Sequence, residues 1–406
     1  MSELRLVLFG VAAFIIVYTV LDFNKLYALR YGVDTGAFLQ SLVNFAHHGS
    51  SFNWVERRPH MTVHDSWTLL FFAPLVAVLP RPETLLILQV VLIASAAVPL
   101  WLFARGVGLT ATTATLISFA YLISPTAQGV VYENFSENAF VPLLAFSLAL
   151  AVQHRALWPA LLGAQLLMGV KEDQILFLLW FGVLGAIWYD RRLGLAVATL
   201  AAVNGCGYVT FEHASGYAAS DPTYGLSDQH WAHDLAWFAE VLIPFAFAPL
   251  LLGWRVLLAA PLVAEITLNH SWAMPLANIG FHWTIPMFTL MAIAAVLGIR
   301  RQPKLAQYAL AGSIVMALFF NPTVLHIGRY LFPPDWAAYA RARADALSGR
   351  RIVFHADDEG SYAVAAGNPN AVYFRRDEPM VHAKPAWVTK ATWCFYYRCS
   401  GPNARQ

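Results

Sequence analysis

The sequence of residues 157–192 reads LWPALLGAQLLMGVKEDQILFLLWFGVLGAIWYDRR. Two almost uninterrupted apolar runs, residues 157–170 and 174–189, flank the charged triplet Lys171-Glu172-Asp173, and two arginines follow the second run. A run of about 20 apolar residues can cross the hydrocarbon core of a bilayer as a helix. Apolar runs separated by short charged turns therefore predict helices that enter and leave a membrane.

The composition of the whole chain favours the same interpretation. Hydrophobic residues make up 58% of the 406 residues and charged residues 12%, whereas soluble domains carry about 25% charged residues. Too little polar surface remains to face water, so lipid is the expected solvent for most of the chain. The net charge of +2, without a strong basic cluster, argues against a nucleic-acid-binding surface.

Apolar runs predict an all-α polytopic membrane protein with about eleven transmembrane helices. The first run, near residues 6–21, resembles a signal peptide but lacks a small-residue cleavage site, so we interpret it as a retained helix. The predicted spans lie near residues 5–22, 84–104, 109–127, 138–153, 157–170, 174–189, 193–211, 236–253, 256–269, 283–299 and 305–320.

The charges of the short connections predict the orientation, because Lys and Arg are retained on the cytoplasmic side. If the N-terminus is cytoplasmic, the opposite set of connections carries the acids and most of the histidines. We therefore expect a multi-pass protein of the cytoplasmic (inner) membrane, with its C-terminus in the periplasm or outside the cell. The predicted cytoplasmic points are all basic: Arg5, Arg105, His154 with Arg155, Arg191 with Arg192, Arg255, Arg300, Arg301 and Lys304.

A long external loop is predicted over residues 23–83. Residues 67–79 within it are apolar, but they are too few to cross the bilayer and Pro74 interrupts them. We interpret this segment as a helix in or near the outer interface.

The last part of the chain, residues 322–406, is more polar. A helix-like stretch over residues 335–347 precedes strand-like runs at 351–356 and 371–374, which predicts a small external α/β domain after a membrane domain of residues 1–321. Cys394 and Cys399 fall in this domain, where an oxidising compartment would allow a disulfide, or the two could remain free thiols.

Acidic residues near the membrane are energetically costly and often functional. Asp34 follows the first helix, where its carboxylate could take a proton from a hydroxyl or cap the next helix. Glu133 and Glu137 are four residues apart, which places them on one face of a helix. With Asp173 they are candidate ligands of a divalent cation such as Mg²⁺ or Mn²⁺; the alternative is a solvated loop capped by Ser136. The sequence indicates no other cofactor.

The triplet Lys171-Glu172-Asp173 follows an apolar run of only about 14 residues, roughly 21 Å of helix. A hydrocarbon core is about 30 Å thick, so the triplet is predicted to lie below the outer surface. There Lys171 could bind a lipid phosphate while Glu172 fixes it. The alternative is a tight turn at the level of the headgroups.

Histidines and one arginine complete the candidate set. We expect His64 and His282 to hydrogen-bond a sugar or a phosphate. His60 and His64 are spaced like helical metal ligands, but Pro59 disfavours a helix and no HExxH pattern is present, so zinc is disfavoured. Arg329 could reach a phosphate, and a snorkelling interfacial arginine is the alternative.

The order of these motifs resembles the GT-C superfamily of polytopic membrane glycosyltransferases, and more closely a bacterial and archaeal family of predicted membrane proteins placed near it. The resemblance covers roughly residues 1–300. It rests on Asp34-Thr35-Gly36-Ala37-Phe38 with Gln40, His64, Gln89, Glu137 before Pro142, and Lys171-Glu172-Asp173.

The resemblance implies transfer of a hexosyl or pentosyl group from a polyprenyl-phosphate donor to a glycan, lipid or protein acceptor at the outer face of the membrane. Asp34 would act as the general base of an inverting reaction, and Lys171 or His282 would neutralise the leaving phosphate. Two other functions stay open. One is a transporter or flippase for a lipid-linked substrate, and the other is a non-catalytic partner in envelope assembly.

Overall fold

The computed structural model describes residues 2–215, 231–268, 280, 282–320 and 331–374. Most of these residues are helical, and two short sheets complete the fold. The helices are α1 (Ser2–Tyr27), α2 (Val33–His48), α3 (Ala73–Val78), α4 (Pro82–Ser95), α5 (Ala97–Gly106), α6 (Ala111–Ile123), α7 (Pro125–Tyr132), α8 (Val141–Gln153), α9 (Leu157–Met168), α10 (Asp173–Trp188), α11 (Arg191–Ser215), α12 (Trp231–Leu242), α13 (Ala260–Leu268), α14 (Ile285–Ile299), α15 (Leu305–Phe320), α16 (Trp336–Leu347) and α17 (Glu359–Ala365).

Five helical segments of the described chain are long and apolar enough to cross a membrane. A sixth span results if α6 and α7, which are bent by 41°, count as one. The bend falls at Pro125, because a proline pushes the residue before it, Ser124, into an extended conformation. The five segments are Ser2–Tyr27, Pro82–Gly106, Arg191–Phe211, Ala248–Leu268 and His282–Ile299.

The prediction of a polytopic membrane protein is supported, but the predicted number of about eleven spans is wrong. Several apolar runs form helices of only 10–17 residues. At 1.5 Å per residue, the 12 residues of α9 reach about 18 Å, well short of a core of about 30 Å. The short apolar helices are Trp67–Val78, Glu137–Gln153, Leu157–Met168, Asp173–Trp188, Leu235–Phe245 and Leu305–Phe319.

The chain divides into two compact units. The first unit comprises Met1–Asn24, His64–Leu69 and Leu86–Phe332. Its core contains the fully buried rings of Tyr121, Phe146 and Phe288. The ring of Tyr121 lies 5.4 Å from that of Phe146 and 6.1 Å from that of Phe288, and its hydroxyl donates to the carbonyl of Ile93 at 2.9 Å. A tyrosine can be buried there because its polar atom has a partner.

Glycines allow α10 and α11 to pack in close contact within the first unit. A Cβ on Gly194 would lie 2.1 Å from the backbone nitrogen of Ala186, and a Cβ on Gly182 would lie 2.5 Å from that of Ala198. Small residues at a helix–helix contact are typical of membrane proteins, where the van der Waals contact of backbones drives association.

A reciprocal pair of amides joins α9 to α11. Gln165 Nε2 donates to Asn204 Oδ1 at 2.9 Å, and Asn204 Nδ2 donates to Gln165 Oε1 at 3.0 Å. These two polar residues therefore stabilise a contact between helices.

The second unit comprises Lys25–Val63, Leu70–Leu85 and Pro333–Gln406, of which residues 333–374 are described at the C-terminal end. Strands β3 (Ile352–His355) and β4 (Ala371–Phe374) are parallel, pair Ile352 with Ala371, and are connected through α17. The predicted strand-like runs coincide with β3 and β4. A second pair, β1 (Phe52–Asn53) and β2 (Arg58–Pro59), is antiparallel.

Gln40 joins three segments of the second unit. Its Nε2 donates to the carbonyl of Ala371 at 2.8 Å, and its Oε1 accepts from the backbone of Trp54 at 2.8 Å and from the hydroxyl of Tyr362 at 2.9 Å. Gly36, one turn earlier on α2, leaves room for the Tyr362 ring, which would lie 2.6 Å from a Cβ there.

The division into a membrane domain of residues 1–321 and an external domain of residues 322–406 stays a prediction. The compact unit that contains β3 and β4 also includes residues 25–63 and 70–85. This stretch is ordered rather than an open loop, and the segment predicted as an interfacial helix is a 3-10 helix, Trp67–Phe72, followed by α3. Pro74 lies in the first turn of α3, where its missing N–H has no cost. Cys394 and Cys399 lie outside the described residues.

We expect Gly194→Ala to destabilise the protein and Gly207→Ala, on the same helix, not to. A methyl group on Gly194 meets the backbone of α10, which cannot move aside, so a loss of about 1–3 kcal/mol is expected. Nothing lies within 4 Å of a Cβ on Gly207, where alanine should stabilise the helix by up to about 1 kcal/mol. Thermal unfolding of the purified variants in detergent measures both effects, and equal shifts of the two melting temperatures would contradict the close contact.

Candidate functional site

The turn between α9 and α10 carries Lys171 and Glu172. The segment His64–Leu69 is fastened to it: Thr68 donates from its backbone to the carbonyl of Gly169 at 2.8 Å and from its hydroxyl to the carbonyl of Leu166 at 2.6 Å. The ring of Trp67 lies against Gly169, where a Cβ would be 2.1 Å from it. Only glycine therefore fits at this turn without moving Trp67.

Glu172 binds the same segment through its carboxylate. Nδ1 of His64 lies 3.0 Å from Oε1 of Glu172, and the backbone N–H of Asp65 donates to Oε2 at 3.2 Å. Burial alone would raise the pKa of the Glu172 carboxyl, but the charge and hydrogen bond of His64, together with the charge of Lys171, lower that pKa from 4.5 to about 2. Glu172 and His64 were both predicted to contact a substrate; the structure brings them together and pairs them with each other.

Lys171 is the cation at the centre of this group. Burial alone would lower the pKa of its ammonium, but the carboxylates of Asp173, Glu137 and Glu172 outweigh burial and raise the pKa above the ordinary value. Glu265 of α13 also lies near this group. Lys171 is partly exposed and, among the described residues, forms no ion pair within 4 Å.

Glu137 is 5% exposed and opens the 3-10 helix Glu137–Phe140. The hydroxyl of Ser136 accepts from the backbone of Asn138, and the backbone of Ser136 donates to Gln89 Oε1 at 2.8 Å. The predicted cap by Ser136 is therefore present, but the loop is not solvated. Gln89 positions it from α4.

Glu133 contacts His282, whereas the sequence predicts that it shares a helical face with Glu137. Its Oε2 accepts from the backbone of His282 at 2.9 Å and lies 3.0 Å from Nδ1 of the same residue. Helix α7 ends at Tyr132, and Glu133 is extended, with φ −73° and ψ −167°. The prediction that Glu133 and Glu137 share a helical face is therefore wrong, because no helix continues between them. The described residues contain no group of three or more His, Cys, Asp or Glu side chains arranged to hold a metal ion, so Glu133, Glu137 and Asp173 are not brought together as ligands.

Asp34 belongs to the second unit, whereas the residues above belong to the first. It is exposed in the first turn of α2, and the N-cap position is occupied by Gly32. The alternative interpretation of Asp34 as an N-cap is therefore wrong; as an acid in the first turn it interacts favourably with the helix dipole. His60 is 2% exposed and pairs with Glu56 at 2.9 Å. Arg329 lies outside the described residues.

An apolar cavity of about 570 Å³ lies inside the first unit. We call it the apolar slot, and one face of each of several helices lines it. On the α14 side the lining runs from Pro286 through Thr289, Leu290, Ile293 and Leu297 to Arg300, a spacing of three and four residues. Pro286 and Arg300 are fourteen residues apart, so this face is about 21 Å long.

A second face of similar length belongs to α10. It begins at Gln174 and ends at Trp188, with Phe177, Phe181 and Gly185 between them. Both faces run in chain order from the end where the charged turn lies to the end where the slot is lined by Arg255 and Arg300. We call these the charged end and the arginine end.

Charged residues from four elements stand beyond the charged end of the slot. Gln174 lines it and donates to Asp173 Oδ1 at 2.9 Å, and Lys171 is three residues before Gln174. On the other elements Val141 follows Glu137 by four residues, Leu262 precedes Glu265 by three, and Pro286 follows His282 by four. About one helical turn thus separates each of these four lining residues from a charged or ionisable side chain. The slot and its charged end together have the polarity of an amphiphile.

No pattern in the sequence predicts the slot. Helices α10 and α14 are apolar on all sides, so their composition does not separate a face that lines a cavity from one that contacts lipid or protein. A weak signal for the lining faces is that Gln174, Thr289 and Arg300, which are polar residues in or beside these apolar helices, all lie at lining positions.

A protein-family model described as "Predicted membrane protein (DUF2079)" matches residues 25–214 of the chain. The matched part includes Asp34, Glu137 and the charged turn. Over these residues the chain is similar to a family of predicted membrane proteins, as the resemblance implied. No curated protein matches the chain.

We expect Glu172→Gln to lower the stability of the protein at neutral pH and to have less effect in acid. A carboxyl whose pKa falls from 4.5 to about 2 on folding stabilises the folded state above its ordinary pKa, and this contribution is lost as the pH falls through about 2. The difference in melting temperature between the wild type and Glu172→Gln should therefore be constant above about pH 5 and shrink toward pH 2. In a His64→Ala background, Glu172→Gln should lower the melting temperature by a smaller amount. A difference in melting temperature between the wild type and Glu172→Gln that stays the same down to pH 2 would contradict the pairing.

Proposed function

We propose that this membrane protein is a glycosyltransferase that takes a sugar from a polyprenyl-phosphate donor. The observation that carries the proposal is the apolar slot, beyond whose charged end Lys171 lies among carboxylates. Such a donor has three chemical parts in the same order: an apolar chain, a phosphate and a hydroxyl-rich sugar. The apolar slot can hold the chain, and the ammonium of Lys171 can bind the phosphate. The carboxylates can bind the sugar, because their oxygens accept hydrogen bonds from its hydroxyls.

In the proposed reaction the acceptor hydroxyl loses its proton to the Asp34 carboxylate. The acceptor oxygen forms a bond to C1 of the sugar as the bond from C1 to the phosphate oxygen breaks, and the electron pair leaves with the phosphate. Attack from the opposite face inverts the anomeric centre. Lys171 stabilises the charge that develops on the phosphate. The roles of Asp34 and Lys171 rest on the sequence resemblance.

The pairing of Glu172 with His64 supports a different role for these two residues. They would hold the segment His64–Leu69 against the turn and so fix the position of Lys171, rather than bind the donor. By the same proposal His282, paired with Glu133, stands beyond the slot near the phosphate. The acceptor is a glycan, a lipid or a protein, and the transfer takes place at the outer face of the cytoplasmic membrane.

The length of the slot favours one second candidate. A cavity that extends about 21 Å along α14 from the charged end to Arg255 and Arg300 could also guide a lipid-linked substrate across the bilayer. A flippase would move a labelled polyprenyl-phosphate sugar between leaflets of a vesicle without transferring the sugar. Transfer to an acceptor without such movement favours the enzyme.

We expect Lys171→Gln to weaken binding of a polyprenyl monophosphate by about 10- to 100-fold, which corresponds to the free energy of a hydrogen bond to a charged group. Lys304→Gln is the matched control, because Lys304 is an exposed lysine of the same unit that does not line the slot. Affinity can be measured in lipid nanodiscs by native mass spectrometry. Equal affinities of the two variants would contradict a phosphate at Lys171.

We expect Asp34→Asn to reduce sugar transfer by at least about 100-fold while donor affinity and melting temperature stay unchanged, because an amide cannot take the proton. Asp358→Asn, an exposed acid of the same unit, should transfer at the rate of the wild type. The measurement is release of radiolabelled sugar from the donor to a membrane-lipid or glycan acceptor. Full transfer by Asp34→Asn would remove Asp34 as the base.

A further inference from the structure

Two arginines line the arginine end of the apolar slot. Arg300 directly follows α14, and Arg255 lies in the 3-10 helix Ala248–Ala259. Both residues are exposed, and the described residues that line the slot include no aspartate or glutamate. Two positive charges therefore stand at this end of a largely apolar cavity, with no acid of the lining to balance them.

Neither arginine has a counter-ion in the part of the chain that the structure describes. Arg155 pairs with Asp190 at 3.9 Å, but no ion pair and no side-chain hydrogen bond involves Arg255 or Arg300. Each guanidinium has five N–H donors. These donors are therefore left to solvent or to a bound anion.

Contacts between their two elements hold these arginines at the same end of the slot. The guanidinium of Arg301 donates to the carbonyl of Leu251, and a Cβ on Gly298 would lie 2.0 Å from the carbonyl oxygen of Ala248. The last turn of α14 therefore packs directly against the 3-10 helix. At Gly253 the backbone has φ 61°, which favours glycine, so the chain kinks two residues before the arginine of this helix.

Exposed apolar side chains lie beside this end. The ring of Trp254 lies 4.2 Å from that of Trp188, the last residue of α10, and Trp254, Leu257 and Ile187 are all exposed. On a membrane protein such side chains contact lipid tails, and tryptophan is enriched at the level of the headgroups. The surface thus combines apolar contacts with positive charge, as a lipid with an anionic headgroup requires.

We propose that Arg255 and Arg300 bind the phosphate of an anionic phospholipid, whose acyl chains lie against the exposed apolar residues of α10 and the 3-10 helix. Guanidinium groups can donate two hydrogen bonds each to phosphate oxygens. A zwitterionic phospholipid fits less well, because its headgroup brings a positive charge of its own. The phospholipid would cover the arginine end from the surrounding leaflet, and the slot would stay open to another lipid. This inference goes beyond the proposed function and does not depend on it.

The test counts the lipids that stay bound to the full chain when it is released from nanodiscs of phosphatidylglycerol and phosphatidylcholine, by native mass spectrometry. The wild type should retain phosphatidylglycerol in preference. Arg255→Gln/Arg300→Gln should bind it about 10- to 100-fold more weakly, because two groups that attract and hydrogen-bond the phosphate are lost.

The matched control is Arg191→Gln/Arg192→Gln, which removes the same charge from two exposed arginines of the same unit that do not line the slot. This variant should retain phosphatidylglycerol as the wild type does. Arg255→Lys/Arg300→Lys keeps both charges but not the paired donors, so it should bind phosphatidylglycerol more strongly than the glutamine variant and more weakly than the wild type.

Equal binding of phosphatidylglycerol by the two glutamine variants would overturn the inference, because the lipid would then respond to net charge alone. Equal retention of both phospholipids by the wild type would overturn it too. Displacement of phosphatidylglycerol by excess inorganic phosphate would indicate a site for a free anion, and a loss in the lysine variant as large as in the glutamine variant would indicate a change of shape. Either result counts against a phospholipid at these arginines. If Arg255→Gln/Arg300→Gln lost a polyprenyl monophosphate instead of phosphatidylglycerol, the arginines would belong to the other lipid and the inference would fail.

Discussion

The positive charge of Lys171 is the constraint on which the candidate site depends. A partly buried ammonium in a membrane protein must be balanced by carboxylates, and those of Asp173, Glu137 and Glu172 come from several elements. Their convergence requires α9 to end and α10 to begin at this level, and it requires the turn at Gly169 to accept the ring of Trp67. A charge that is expensive to bury thereby determines how the chain around it folds.

The apolar slot follows from the same arrangement. Helices α8, α10 and α14 line it, and the glycine contact between α10 and α11 stabilises one wall. At the charged end, a charged or ionisable side chain lies within one helical turn of each lining face. Apolar length and a polar end are what an amphiphile with a long chain requires. An enzyme and a flippase would both hold such a lipid in the slot, but the enzyme would transfer the sugar, whereas the flippase would move the intact lipid between leaflets.

Several features of this protein could be predicted from the sequence. The membrane environment follows from the low charge, and the charged triplet was recognised because the apolar run before it is too short. Apolar runs alone overestimate the number of spans, because Pro125 and the ends of α9 and α10 interrupt or shorten the helices. The slot, the pairing of Glu133 with His282, and the joint packing of Gln40 with Tyr362 and Ala371 depend on contacts between distant residues, which no local pattern contains.

The most direct test of the account is a cryo-electron microscopy map of the full chain in nanodiscs that contain a polyprenyl monophosphate. The account predicts continuous density along α14 from Pro286 toward Arg300, with the phosphate at the charged end beside Lys171. Density with its phosphate at Arg255 and Arg300, or a slot that holds no lipid while the lipid lies elsewhere on the protein, would contradict it.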